Sequence, residues 1–365
     1  MAHSISVLTT LYNHERYIQE TILSALSQTR PPDEIIVIDD ASTDRSVAAA
    51  QKIGHKAVRV LSEEHNLGGP NTMKGLSQCS GSLIAILNSD DTWQKDKLQQ
   101  QLDYLERNPD CGAVFTLVNL IDEDSNPWTD GSNPYQYIFQ MNNYDRREWL
   151  RQFFYKGNAL CASSALIRRE CFDQVGPLDG RYAQLQDLDL WIRIVKAGYD
   201  IHVIQKKLTN YRALRSGLNM SAGGDEAKAL YTLEYSRILR NYWSIGSISE
   251  LTKIFPEIDI SADADDTLLK FYLAIHASKQ PGLQHKLFAL ESMSSWGGNY
   301  HSMNMAAKCH NFSHSDYRRF LSRGPVRELI RRGVKHRLDV FARLLLPARL
   351  YQRLRTVYLA SRGAR

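Results

Sequence analysis

Residues 83–91, LIAILNSDD, constrain the fold most, because an apolar run ends there in two adjacent carboxylates. The apolar run predicts a buried strand, and the acidic pair follows its C-terminal end. In open α/β sheets, ligands bind at the carboxyl ends of the strands. Neighbouring carboxylates with a Ser and an Asn beside them suit a hard divalent cation that also contacts substrate phosphates. The alternative interpretation is an ordinary polar turn, which Asp and Asn favour.

Strands and helices alternate at short intervals through the first quarter of the chain. Strands are predicted at 5–11, 34–38, 58–61 and 83–87, with helices between them. This alternation is typical of βαβ units and predicts a mainly parallel sheet. A second acidic pair, Asp39 and Asp40, follows the second of these strands. We therefore expect both acidic pairs at one edge of the sheet, in one shared site.

Composition favours a globular protein of the reducing cytoplasm. The 365 residues are 43% apolar, which suggests two domains, or one large domain with an extension. The five cysteines form no Cys-x-x-Cys pair, so neither a zinc site nor a disulfide framework is indicated. Residues 1–4 show no secretory signal pattern, and no apolar run reaches the length of a membrane span.

Residues 316–365 differ from the rest of the chain in charge. They hold 14 lysines and arginines against 3 acidic residues, a net charge of +11, which leaves −6 on residues 1–315. Apolar residues recur in this segment at helical spacing, which predicts basic amphipathic helices that contact an anionic membrane. Docking on the protein itself or a dimer contact is the alternative. No nucleic-acid partner is expected, because no binding motif accompanies the charge.

Several motifs, in a consistent order, resemble the family 2 glycosyltransferases. They are 6–13 (SVLTTLYN), 36–44 (IVIDDASTD), 66–68 (NLG), 88–91 (NSDD), 186–193 (QDLDLWIR) and 211–212 (YR). The resemblance covers about residues 4–221 and implies a GT-A fold: an α/β, Rossmann-like domain with a mainly parallel central sheet flanked by helices. We accordingly expect a catalytic domain at 1–221, a mostly helical extension at 222–315 and the basic tail at 316–365.

The resemblance also implies an activity. A family member of this kind is expected to transfer a sugar from a nucleotide-sugar donor, by default a UDP-sugar, with inversion at the anomeric carbon and with Mn²⁺ or Mg²⁺. The acceptor would be a glycan or a lipid-linked sugar in polysaccharide or glycoconjugate biosynthesis of the bacterial type. With the basic tail, this predicts a cytoplasmic protein at the inner face of the plasma membrane. The oligomeric state is left open.

Motif positions assign the donor-binding roles by resemblance. Thr10 and Tyr12 would line the nucleobase pocket, and Asp40 would bind the base or ribose. Asp90 would lie near the ribose and the metal, and Asp91 would ligate the metal. Such an ion would stabilise the negative charge that grows on the diphosphate leaving group.

The later motif assigns the base and its surroundings. Asp187 would take the proton from the acceptor hydroxyl, although an acid at the start of a helix is also stabilised by the helix dipole. Gln186 and Arg212 would contact the acceptor or support the site. Asp189 would pair with a basic side chain, and Trp191 would either pack in the core or form an acceptor platform.

Departures from the family pattern leave two other functions open. Gln186 stands where a Glu is usual, Thr72 where an Arg is frequent, and Leu214 where a His often follows Tyr-Arg. These changes are compatible with a catalytically degenerate GT-A module that only binds a nucleotide or glycan. A sugar nucleotidyltransferase also uses acidic metal sites, but the phosphate loop expected near its N-terminus is missing.

Overall fold

The computed structural model describes residues 3–129, 131, 133, 135–214 and 224–323. The chain divides into two compact units, one that ends at Asn241 and one that begins at Tyr242. The boundary expected at residue 221 lies in the undescribed segment 215–223 and stays a prediction, as do the other domain limits. Most of the basic tail, 324–365, also lies outside the described residues.

One sheet organises the first unit. Its strands are β1 (Ile5–Leu11), β2 (Glu34–Asp39), β3 (Val58–Ser62), β4 (Leu83–Ile86), β5 (Thr92–Trp93), β6 (Cys111–Ile121), β7 (Leu166–Arg168) and β8 (Asp200–Arg212). Their spatial order is β3-β2-β1-β4-β7-β6-β8-β5. The pairs β3–β2, β2–β1, β1–β4 and β6–β8 are parallel, whereas β4–β7, β6–β7 and β5–β8 are antiparallel. The predicted α/β class with a mainly parallel sheet is confirmed.

Helices cover both faces of this sheet. They are α1 (Ile18–Leu26), α2 (Ser46–Gln51), α3 (Gly69–Gln78), α4 (Lys97–Arg107), α5 (Tyr135–Ile138), α6 (Arg146–Lys156), α7 (Arg169–Val175), α8 (Gln186–Lys196) and α9 (Asp225–Ile238). Ile5 and Val7 of β1 pack in a core cluster with α1 and α4. The next side chain, Leu8, points to the other face, where it contacts α3 at Gly75. Burial on both faces explains why the strands are continuous apolar runs.

The described part of the second unit consists of helices and connecting segments. They are α10 (Ile248–Ile254), α11 (Leu269–Lys279), α12 (Leu283–Trp296), α13 (Tyr300–His310) and α14 (His314–Arg323). Phe271 anchors their packing, with its ring centroid 5.0 Å from those of Trp296 and Phe312. A mostly helical C-terminal region is thus confirmed. Among the described helices, none combines the length and apolar character that a membrane crossing requires.

The parallel strands β1, β2 and β4 bring their C-terminal ends to one edge of the sheet. Leu11 lies opposite Asp39, and Leu8 lies opposite Ile86. The chain turns sharply beyond two of these ends, because Asn13 (φ 51°) and Ala41 (φ 61°) adopt left-handed conformations. Tyr12, Asp40 and Asp90 follow these three strand ends and lie along a single edge.

Candidate functional site

A cavity of about 1560 Å³ lies at this edge of the sheet. Of the site residues predicted from the sequence, the following line it: Thr10, Tyr12, Asp40, Asp90, Gln186 and Asp187. Four others do not: Asp91, Asp189, Trp191 and Arg212. The structure therefore brings the predicted donor residues and the predicted base into one cavity, and separates them from residues that hold the surrounding backbone.

Residues at the C-terminal ends of strands β1 and β2 line one side of the cavity. Tyr12 is 46% exposed, so one part of its ring is open to a ligand. The Asp40 carboxylate accepts hydrogen bonds from the backbone N–H groups of Leu67 and Gly68, at 2.7 and 2.8 Å. Its neighbour Asp39 is buried and accepts from the backbone and hydroxyl of Ser42. Only one acid of this pair faces the cavity.

Asp90 is the acid of the second pair that lines the cavity. Burial raises the pKa of its carboxyl group, and the positive charges of His14 and Arg212 oppose that rise. His14 lines the same cavity, with its Nδ1 atom 2.8 Å from the hydroxyl of Ser89. His14 was not predicted from the sequence, although its position just after the β1 motif is a usable signal.

Asp91 does not fit the predicted metal role. It is 1% exposed, one carboxylate oxygen accepts from the hydroxyl of Ser163, and the other accepts from the backbone N–H of Arg212 at 2.8 Å. Burial and the adjacent Asp90 raise the pKa of Asp91, whereas these hydrogen bonds lower it. Asp91 therefore holds backbone segments together beneath the cavity, and its burial and hydrogen bonds contradict the metal role predicted for it.

Arg212 is fully buried and ties four segments together. Its guanidinium donates to the carbonyl oxygen of Asp90 at 2.7 Å, to that of Asp122 at 2.9 Å and to the carboxylate of Glu20 at 2.7 Å. It also lies 4.6 Å from the ring centroid of Tyr17. Arg212 is thus a structural support for the Asp90 turn, which agrees with one of its two predicted roles and gives it no contact with the cavity.

The described residues contain no group of three or more His, Cys, Asp and Glu side chains arranged to hold a metal. A cation bound through substrate phosphates needs only one or two protein carboxylates, because phosphate and water oxygens complete its shell. Asp90 meets that requirement, since it faces the cavity and has an oxygen donor of the right type. The residues present therefore fit a divalent cation that arrives with a nucleotide.

Asp187 lies in the first turn of α8 and is half-buried at the cavity. One carboxylate oxygen accepts from the side-chain amide of Asn158 at 2.6 Å, and the other accepts from the backbone N–H of Leu188 at 2.8 Å. Burial raises the pKa of Asp187 to about 6, even though both hydrogen bonds lower it. A carboxylate oxygen has two acceptor sites, so this group can still receive a proton from a substrate hydroxyl.

The remaining predicted residues have different surroundings. Trp191 is fully buried and packs edge-on against Phe115, at 4.8 Å between ring centroids, so the acceptor-platform interpretation is wrong. Asp189 is buried and pairs with Arg193 at 2.7 Å, which stabilises α8. Gln186 lines the cavity as a neutral side chain next to Asp187. Trp191 and Asp189 therefore support the helix and do not touch the cavity.

Comparison with known proteins identifies the class. The family model for glycosyl transferase family 2 matches residues 6–176. TuaG of Bacillus subtilis, named for teichuronic acid biosynthesis, is 29% identical over 219 residues, covering 59% of this chain and 81% of TuaG. The amylovoran biosynthesis glycosyltransferase AmsB of Erwinia amylovora is 27% identical over 241 residues, which cover 63% of this chain and 77% of AmsB.

Solved structures show the same fold. The structure of residues 1–349 of S. aureus TarS in complex with UDP-GlcNAc matches with a TM-score of 0.55 and 18% identity, over 92% of this chain and 93% of that one. A longer TarS chain also matches, with a TM-score of 0.52, and the match covers 50% of its length. This chain therefore has the GT-A fold. Residues 6–176 form a glycosyl transferase family 2 domain, and the curated relatives are glycosyltransferases, so this protein is a glycosyltransferase.

The different surroundings of Asp90 and Asp91 predict losses of stability of different size. Asp91→Ala leaves two buried donors without an acceptor, so we expect the free energy of unfolding to fall by about 3 kcal/mol. Asp90→Ala is the matched control and should cost about 1 kcal/mol or less, because that carboxylate faces the cavity. Urea unfolding followed by circular dichroism measures both. Equal losses for the two variants would contradict the structural role of Asp91.

Proposed function

We propose that this enzyme is an inverting glycosyltransferase that moves a sugar from a UDP-sugar to a glycan or lipid-linked acceptor, in polysaccharide biosynthesis of the bacterial type. The observation that carries the proposal is that Asp187 lines the same cavity as Tyr12, Asp40 and Asp90. The names of TuaG and AmsB, which refer to teichuronic acid and amylovoran, support a polysaccharide context.

Asp187 has the properties that the inverting reaction requires of a base. With a pKa of about 6, it is ionised at neutral pH and still basic enough to accept the proton of an acceptor hydroxyl. The amide of Asn158 and the N–H of Leu188 fix the orientation of its carboxylate. The attacking oxygen would approach the anomeric carbon from the face opposite the leaving nucleotide.

Tyr12, Thr10 and Asp40 would bind the nucleotide. The exposed face of Tyr12 suits stacking on a base, and Thr10 lies beside it on the cavity wall. Asp40 is already fixed by the amides of Leu67 and Gly68, so it could accept from a base or ribose without losing orientation. Uridine is the default base on family resemblance.

Asp90 would hold Mn²⁺ or Mg²⁺ together with the donor diphosphate. When bound, such an ion supplies positive charge that stabilises the departing diphosphate. His14 lies beside Asp90 and would contribute to the same electrostatic environment. The carboxylate of Asp90 would orient the ion, and the turn held by Arg212 would keep that carboxylate in place.

A donor panel tests the proposal. The full chain is incubated with UDP-, dTDP- and GDP-sugars, with Mn²⁺ or Mg²⁺ and candidate acceptors, and nucleotide release is measured. Asp187→Asn should lower transfer by at least about 100-fold while nucleotide affinity changes little, because it removes the base and leaves the donor end intact. Asp173→Asn, an exposed acid on α7, is the matched control and should retain full transfer.

The outcomes distinguish the alternatives. Full transfer by Asp187→Asn would show that Asp187 is not the base. Nucleotide binding by the wild-type chain without turnover of any donor would favour a degenerate binding module. Release of pyrophosphate from a nucleoside triphosphate and a sugar phosphate would identify a nucleotidyltransferase instead.

The pKa of Asp187 predicts the acid limb of the pH profile. The base acts only when deprotonated, so kcat/KM should fall below about pH 6 and decrease about tenfold per unit at lower pH. Asp187→Asn lacks the proposed base and serves as the control, because its residual rate should not show this acid limb. A wild-type profile that stays flat down to pH 4.5 would contradict the assignment.

We further propose that the basic segment 316–365 contacts an anionic membrane surface at the cytoplasmic face. Its net charge of +11 supports attraction to acidic headgroups, which weakens with salt. At low salt, the full chain should co-sediment with phosphatidylglycerol vesicles. It should not co-sediment with vesicles of pure phosphatidylcholine. Truncation after Arg323 preserves every described residue, and unchanged sedimentation of that variant would remove the proposal.

A further inference from the structure

Helix α9 follows the segment that resembles the family, yet it contacts the surroundings of Asp187. Glu234 of α9 is 3% exposed. Its carboxylate accepts hydrogen bonds from three consecutive backbone N–H groups. These are the N–H groups of Ala183, Gln184 and Leu185, at 2.7, 2.9 and 3.0 Å. Three donors on one buried carboxylate form a strong, charge-assisted contact. The contact lies outside the family-model match at 6–176, which ends before either partner.

This contact fixes the start of α8. Leu185 is the residue that precedes the helix, and Asp187 lies in its first turn. The N–H groups at and before a helix start have no partner within the helix, so they need an acceptor from elsewhere. Glu234 supplies that acceptor. A shift of Glu234 would therefore displace the backbone only two residues before the proposed base.

Helix α9 also holds the partner of Asp187. The hydroxyl of Tyr235 donates to the carbonyl oxygens of Phe153 and Phe154, at 2.7 and 2.9 Å, near the end of α6. From there the chain continues through Gly157, which has a φ of 77°, to Asn158. Asn158 donates to Asp187. Adjacent residues of α9 thus fix both sides of the hydrogen bond that orients the base.

The charge of Glu234 acts on Asp187 as well. It adds to the rise in the pKa of Asp187, of which burial is the main cause. Family resemblance places a glutamate at position 186, where this chain has the neutral Gln186. A negative charge near the base is therefore present here, but it comes from α9 and not from the residue before Asp187.

We propose, on the basis of the function proposed above, that Glu234 is a positioning residue for Asp187, and that it replaces the missing acidic neighbour at position 186. It binds neither substrate nor metal. Its carboxylate sets the backbone before α8 and places a negative charge near the base.

The test compares Glu234→Gln with Glu226→Gln, an exposed glutamate on the same helix. Glutamine keeps the shape of the side chain but directs an amide donor toward backbone donors. We expect kcat to fall by about 10- to 100-fold through displacement of the base, with the donor KM changed less than about threefold. UDP affinity, measured by calorimetry, should match that of the wild type. Glu226→Gln should behave as the wild type in every measurement.

The acid limb of the pH profile distinguishes a role of Glu234 at Asp187 from a role in the stability of the fold alone. The titratable groups that face Asp187 are Glu234 and Tyr231 from α9 and Cys161 from the segment after α6. Loss of the Glu234 charge should move the acid limb to lower pH, because a negative neighbour no longer opposes ionisation of Asp187.

Three results would overturn the proposal: wild-type kcat in Glu234→Gln, an unmoved acid limb, or a loss of UDP affinity equal to the loss of kcat. An inactive wild-type chain would instead contradict the proposed function.

Discussion

The buried carboxylate of Asp91 is the interaction on which the donor end of the cavity depends. It joins the turn after β4 to Ser163 and to the backbone of Arg212, residues 72 and 121 positions later. The guanidinium of Arg212 then returns to the carbonyl oxygen of Asp90. A buried carboxyl group tolerates few alternative arrangements, because each polar group left without a hydrogen-bond partner costs its full desolvation energy. The position of Asp90 at the cavity thus follows from its neighbour's burial.

Local patterns in the sequence predicted the sheet and much of the cavity. Apolar runs and polar turns are adjacent in the chain, so the strand ends at Tyr12, Asp40 and Asp90 could be located without tertiary information. The sequence could not show which of Asp90 and Asp91 faces the cavity, because that depends on hydrogen-bond partners far away in the sequence. The sequence did allow Trp191 to be assigned to the core. Apolar residues occur on most sides of α8, which is typical of a buried helix.

The contribution of α9 had a weaker signal that sequence reasoning missed. Glu234 lies three residues after Tyr231 and four before Ile238, so it belongs to a partly apolar face of the helix. A carboxylate on such a face requires a buried partner. The sequence contains no hint of which partner, because backbone N–H groups carry no residue identity. Only the fold shows that three amides before α8 meet this side chain.

Two acids of one cavity acquire different properties from their surroundings. Burial raises the pKa of both Asp90 and Asp187. At Asp90 the nearby His14 and Arg212 oppose the rise in the pKa without cancelling it. At Asp187 the carboxylate of Glu234 adds to the rise in the pKa, of which burial is the main cause. The two carboxylates thus have different neighbours, and we propose different roles for them, one electrostatic and one in proton transfer. These surroundings depend on residues that do not line the cavity: Arg212 is held by Asp91, and Glu234 belongs to a helix beyond the family match.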